Sequence, residues 1–188
     1  MPRLRSRPII ALALATVASA AAVLPVAAAN TVTQTINAGT RSASVADVAL
    51  GAVTYSHSAQ SSTGTLVLTA DDSTGSGAGW NVTVQSSAFV YSGTFSGTDI
   101  PAASFVLTSA SGATSTAGEA VDPVGGPKLP VTTVPPVALD TARKTIQALA
   151  TFGEGTYTQN LGVSLAIPAQ ARVGTYTGTL TVTISAGP

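Results

Sequence analysis

The chain has 188 residues, of which 9% are charged and none is cysteine, and its formal net charge is zero. That charged fraction is far below the roughly 25% of ordinary globular domains, and the abundance of Thr, Ser, Ala, Val and Gly points to an extracellular β protein. Without cysteine there is neither a disulfide framework nor a lipoprotein attachment residue, so the fold must rest on its apolar core.

Arg3, Arg5 and Arg7 precede the apolar run from Ile9 to Val17 and then Ala27, Ala28 and Ala29, the basic, hydrophobic and small-residue order of a secretory signal. The sequence therefore predicts a signal peptide over 1–29, a mature chain from about Asn30, and one domain over 30–188. The apolar run is short for a membrane span and no run of about 18 apolar residues follows it, so no span is expected in the mature chain. Past the signal, Arg41, Lys128, Arg143, Lys144 and Arg172 stand against eight carboxylates. This acidic balance argues against nucleic acid, whose binding needs a basic face to release counterions.

Short alternating runs bounded by Gly, Ser, Asn and Asp predict an all-β fold, an antiparallel β-sandwich or a partly open barrel. His57 lies in a polar segment and reads as a solvated loop residue. Gly64 to Thr69 reads as a strand, followed by the turn Asp72 to Gly79 and the strand Trp80 to Val84. In that strand Trp80, Val82 and Val84 share one face, Asn81 and Thr83 the other. The Gly-rich turn predicts that these two strands are antiparallel neighbours. Asp71 and Asp72 are adjacent in an extended stretch, so they point to opposite faces and are poorly placed to act as a catalytic pair. Another strand is expected over Ser104 to Thr108.

The segment 109–136 is rich in Ser, Gly and Thr and carries Pro123, Pro127, Pro130, Pro135 and Pro136, a composition unsuited to sheet interior. It reads as a long loop, either a binding loop or a plain excursion. Leu139 to Ala150 fits helical spacing through Leu139, Ala142, Ile146 and Leu149, and strand alternation through Ile146, Ala148, Ala150 and Phe152; strand from Thr145 onward is favoured. Gly155-Thr156-Tyr157-Thr158 recurs as Gly174-Thr175-Tyr176-Thr177, and Leu161, Val163 and Leu165 echo Leu180, Val182 and Ile184. The echo predicts an antiparallel pair that puts Tyr157 and Tyr176 at one end of a shared apolar stripe.

Evidence for chemistry is thin. A Ser, Thr or Cys nucleophile needs a base, and His57 is the only histidine. Zinc sites need clustered His and Cys, and the turn after Asp72 lacks the spaced oxygen ligands of a helical calcium loop, so neither metal nor cofactor is expected. Trp80 is either a core anchor, as large buried aromatics usually are, or a platform on which a sugar ring stacks. With Asn81, Asp71 and Asp72 it forms the candidate ligand-binding set.

Trp80-Asn81-Val82, and Tyr176 followed by Leu180-Thr181 and Val182-Thr183-Ile184, resemble the two Trp-x-Leu motifs of the WxL family of bacterial cell-surface domains, in variant form. Val82 stands for the first Leu, and Val182-Thr183-Ile184 replaces the second motif. The resemblance implies a secreted, non-enzymatic domain that associates noncovalently with peptidoglycan or another cell-wall polymer, or with another cell-surface protein. Two further readings stand beside it. One is an adhesin-like or fibre-forming subunit that accepts a strand at an exposed sheet edge; the other is an envelope hydrolase using paired carboxylates.

Overall fold

Period-two alternation of apolar and hydroxyl-bearing residues builds the whole molecule. The structure, a computed structural model, describes residues 32–130, 133 and 135–188; the signal expected over 1–29 lies outside them. Ile36–Pro188 forms one compact unit. Its strands are β1 (Arg41–Val45), β2 (Gln60–Asp72), β3 (Trp80–Ser86), β4 (Val90–Ser92), β5 (Phe105–Ala110), β6 (Thr114–Gly118), β7 (Val137–Ala138), β8 (Arg143–Ala148), β9 (Gly155–Ile167), β10 (Thr175–Thr177) and β11 (Leu180–Ala186). All pairings between them are antiparallel.

One sheet runs β1-β2-β9-β5-β7, with β6 also on β9; a second runs β11-β3-β8; and β4 and β10 form a separate ribbon. The sheets do not close into a barrel. Their inner faces meet across a shared core. From the larger sheet come Leu66, Leu68, Phe105, Leu107, Tyr157, Leu161, Val163 and Leu165, and from the smaller Trp80, Val82, Val84, Ile146 and Ala148, all buried. Register explains the stripe: Leu66 sits opposite Leu161 and Ala70 opposite Tyr157, while Val82 sits between Ile184 and Ile146. Each such Leu, Ile or Val contributes about 1.5–3 kcal/mol by leaving water.

Three expectations are corrected here. β2 and β3 are not neighbours, because the turn between them crosses from one sheet to the other; β2 pairs with β1 and β9, and β3 with β11 and β8. The strands after the two tyrosines are not a pair either, since β9 belongs to the larger sheet and β11 to the smaller. Tyr157 is buried whereas Tyr176 is half-buried, packed against the edge of the core from the β4–β10 ribbon. The segment 109–136 is not all loop: β5 runs to Ala110, and β6 continues along the same edge of β9. Its later part packs inward, with Gly125, Gly126 and Pro127 buried. Lys128 exchanges backbone hydrogen bonds with Gln147, and Leu149 N–H donates to the Gly125 carbonyl. This segment thereby covers part of the β8 edge, a common protection against stray strand pairing. From 143 to 148 the chain is strand, beginning two residues before the expected start.

β8 carries a bulge, because Val82 faces Ile146 while Thr83 faces Lys144, leaving Thr145 as the extra residue. The bulge turns the buried Thr145 carbonyl inward. Gln159, buried on β9, answers it: its Nε2 donates to Thr145 O and to Ser111 O, both at 3.0 Å. One polar residue in an apolar core thus joins both sheets.

Candidate functional site

Gln60 faces Ile167 at one end of the long β2–β9 ladder and Asp72 faces Gly155 at the other; at about 3.3 Å per residue these ends are roughly 40 Å apart. All the candidate ligand residues chosen from sequence lie at the Asp72 end. Trp80 is 0% exposed there. Its ring lies 6.0 Å from that of Tyr157, and its Nε1–H donates to Gly153 O at 2.8 Å. Gly153 has φ 81°, and a Cβ on it would come within 2.5 Å of Ala148 Cβ and 3.0 Å of Trp80 Nε1, so only glycine fits beside the ring. The ring therefore has no free face for a sugar, and the choice between core anchor and platform falls to the core.

The polar members of the set are held by the protein itself. Asp72 accepts from Arg41 Nε at 2.9 Å, Thr74 N–H at 3.0 Å and Thr74 Oγ1 at 2.7 Å. Asp71, on the opposite face as alternation requires, accepts from Ser73 Oγ at 2.8 Å and Thr156 Oγ1 at 2.7 Å. Asn81 Nδ2 donates to Gly187 O at 2.7 Å. Glu119 accepts from Gly153 N–H at 2.7 Å and Glu154 N–H at 3.1 Å, and Glu154 accepts from Gly77 N–H at 2.7 Å. This end is a set of carboxylate clasps on loop backbone. Among the described residues no group of three or more His, Cys, Asp or Glu could hold a metal.

The Tyr157 hydroxyl donates to Glu119 O at 2.9 Å. Burial, helped by the negative charges of Glu119, Asp72 and Glu154, pushes its pKa from 10.0 up to about 12. Below pH 10 the group is protonated in both folded and unfolded chains, and stability does not depend on it. Between about 10 and 12 the unfolded chain loses the proton first, so stability should fall as pH rises, by up to about 1.4 kcal/mol per pH unit. Denaturant melts across that window should show this slope, and Tyr157→Phe should flatten it.

The opposite end is open. A cleft of about 690 Å³ lies between the strap 48–56, the ends of β2 and β9, and the segment 168–178. Leu50, Phe89, Ile100, Leu165 and Ile167 supply apolar wall, Ser56, Ser62, Thr175 and Thr177 hydroxyls, and Tyr55 and Tyr176 aromatic rings. Two bonds fix the cleft's shape: Gln170 N–H donates to Ser56 O at 2.9 Å, joining the two walls, and the Tyr176 hydroxyl donates to Arg172 O at 3.0 Å. The β4–β10 register places Tyr91 opposite Tyr176, with ring centroids 5.3 Å apart. The Tyr91 hydroxyl donates to Val173 O at 3.0 Å and accepts from Phe95 N–H at 3.2 Å. This brings Phe95, 59% exposed, and Val173, 62% exposed, to the same end, and Tyr55 is 45% exposed. His57 is exposed beside it, edge-on to Tyr55 at 5.3 Å.

Exposed aromatic and aliphatic groups gathered at one end are a common feature of interaction surfaces. A preformed, mostly apolar cleft with a few placed polar groups is the usual form of a small-molecule or oligomer subsite. Sequence reasoning passed over Tyr55, Tyr91, Phe95 and Arg172. The available signal was aromatic residues set among Gly and Ser, as in Tyr91-Ser92-Gly93-Thr94-Phe95-Ser96-Gly97, where neither core packing nor solubility calls for them.

No helix among the described residues is long and apolar enough to cross a membrane. The chain matches the family model described as WxL domain, surface cell wall-binding, over residues 20–188. No curated protein and no solved structure matches it.

Proposed function

Because the chain belongs to the WxL family of surface, cell-wall-binding domains, we propose that it is a secreted, non-enzymatic domain that holds noncovalently to the cell wall through the aromatic cleft. The observation that carries this reading is the contrast between the two ends. Trp80 and the carboxylates around it are occupied within the fold, whereas Tyr55, Val173 and the half-buried Tyr176 line an open cleft. Sugar rings present apolar faces edged by hydroxyls. Tyrosine rings beside Thr and Ser hydroxyls match both features, the ring by its amphipathic body and the hydroxyls by donating or accepting.

Co-sedimentation with purified sacculi tests the reading. The wild-type protein should bind saturably, and Tyr176→Ala should weaken binding at least about tenfold, as for a truncated aromatic anchor. Tyr176→Phe, which keeps the ring and loses only the bond to Arg172 O, should retain most of the affinity. Equal binding by wild type and Tyr176→Ala would place the contact elsewhere.

A further inference from the structure

We propose that the cleft selects a carboxylate-bearing glycan, with Arg172 as the residue that recognises the carboxylate; this rests on the reading of the cleft as the wall contact. Arg172 is the one charged residue among those lining the cleft, and no Asp or Glu is among them. It is exposed, and the ion pairs among the described residues are Arg41–Asp72 and Arg143–Asp140, so its guanidinium has no acidic partner. Asp47 and Asp99 adjoin the lining residues Val48 and Ile100 in sequence but do not line the cleft, and Asp99 accepts from Tyr91 N–H at 2.8 Å. The main chain at Arg172 is fixed beside the cleft: its carbonyl accepts from the Tyr176 hydroxyl, which sets the base of the arginine side chain next to the ring on which a sugar would rest. A planar guanidinium with several N–H donors fits a carboxylate through paired hydrogen bonds.

The number of charges decides between acidic polymers. A phosphate-linked glycopolymer carries dense negative charge, and this domain, with more carboxylates than cations past the signal, would repel it without a basic patch. A glycan with isolated carboxylates matches a single arginine in an otherwise uncharged cleft. The repeat would lay its sugar face against Tyr176 and direct its acid toward Arg172.

The test uses the secreted protein, sacculi stripped of attached glycopolymers, soluble carboxylated muropeptides and neutral N-acetylglucosamine oligomers. Arg172→Gln should weaken binding to stripped sacculi and to muropeptides about tenfold, the scale of one lost hydrogen bond to a charged group. It should leave binding to neutral oligomers unchanged and reduce the salt dependence, and Arg172→Lys should recover part of the loss. Unchanged binding by Arg172→Gln, where Tyr176→Ala still fails, would overturn carboxylate selection and leave the cleft in place. Binding only to sacculi that retain phosphate polymers would overturn it in favour of phosphate. No binding of wild type to any sacculi would remove the wall-contact reading and this proposal together.

Discussion

Trp80→Ala is expected to lower the free energy of unfolding by about 3–5 kcal/mol, the range for deleting a buried Trp or Phe, and to leave wall binding of the folded protein unchanged. The ring is fully buried, tilted against that of Tyr157 and flanked in register by Ala148 and Ala186. Alanine would open a cavity between the two sheets and leave the Gly153 carbonyl without its 2.8 Å donor. An unpartnered buried carbonyl adds to the cavity cost. Denaturant melts followed by circular dichroism measure the first effect, and sacculus sedimentation well below the melting temperature measures the second. Near-wild-type stability with lost binding would mean that the ring faces the wall polymer.

The same residue shows how much was legible in the sequence. Alternation fixes which side chains of a strand share a face, so Trp80, Val82 and Val84 read as one stripe, and they are one. It likewise placed Asp71 and Asp72 on opposite faces; around Ile146 it fitted no better than helical spacing, and the segment is the favoured strand. Alternation says nothing of partners. Strands consecutive in sequence change sheets freely in a two-sheet fold, so the links assumed between β2 and β3, and between β9 and β11, could not be read locally. The repeat around Tyr157 and Tyr176 misled for a related reason. β9 is central in its sheet and buries its tyrosine, whereas Tyr176 lies on a two-stranded ribbon, and similar local sequence does not specify either setting. Prolines drew the segment 109–136 as loop, yet β6 and the Lys128 contact use it to extend one sheet and cover the edge of the other. The cleft was invisible because its walls come from segments more than a hundred residues apart in the chain.

Arg41→Ala is expected to cost about 3 kcal/mol, near the lower end of the range for a buried ion pair that loses one partner. The asymmetry of the pair gives the reason. Asp72 is only 1% exposed at its side chain and Arg41 16%, so removal of the arginine strands a carboxylate that water reaches poorly. Thr74 alone would remain to hold it, through its N–H and hydroxyl. Arg41 also reaches Thr74 Oγ1 and Ser76 Oγ, so its loss loosens the turn that carries the chain from β2 across to β3. The double change Arg41→Met with Asp72→Leu should recover most of the loss, because two apolar side chains of similar size need no compensation. Urea melts of the two single variants and the double variant measure the coupling directly. If Asp72 instead contacted the wall, the double variant would be stable but would not bind sacculi; retained binding assigns the acidic end of the molecule to the fold and leaves the aromatic end to the polymer.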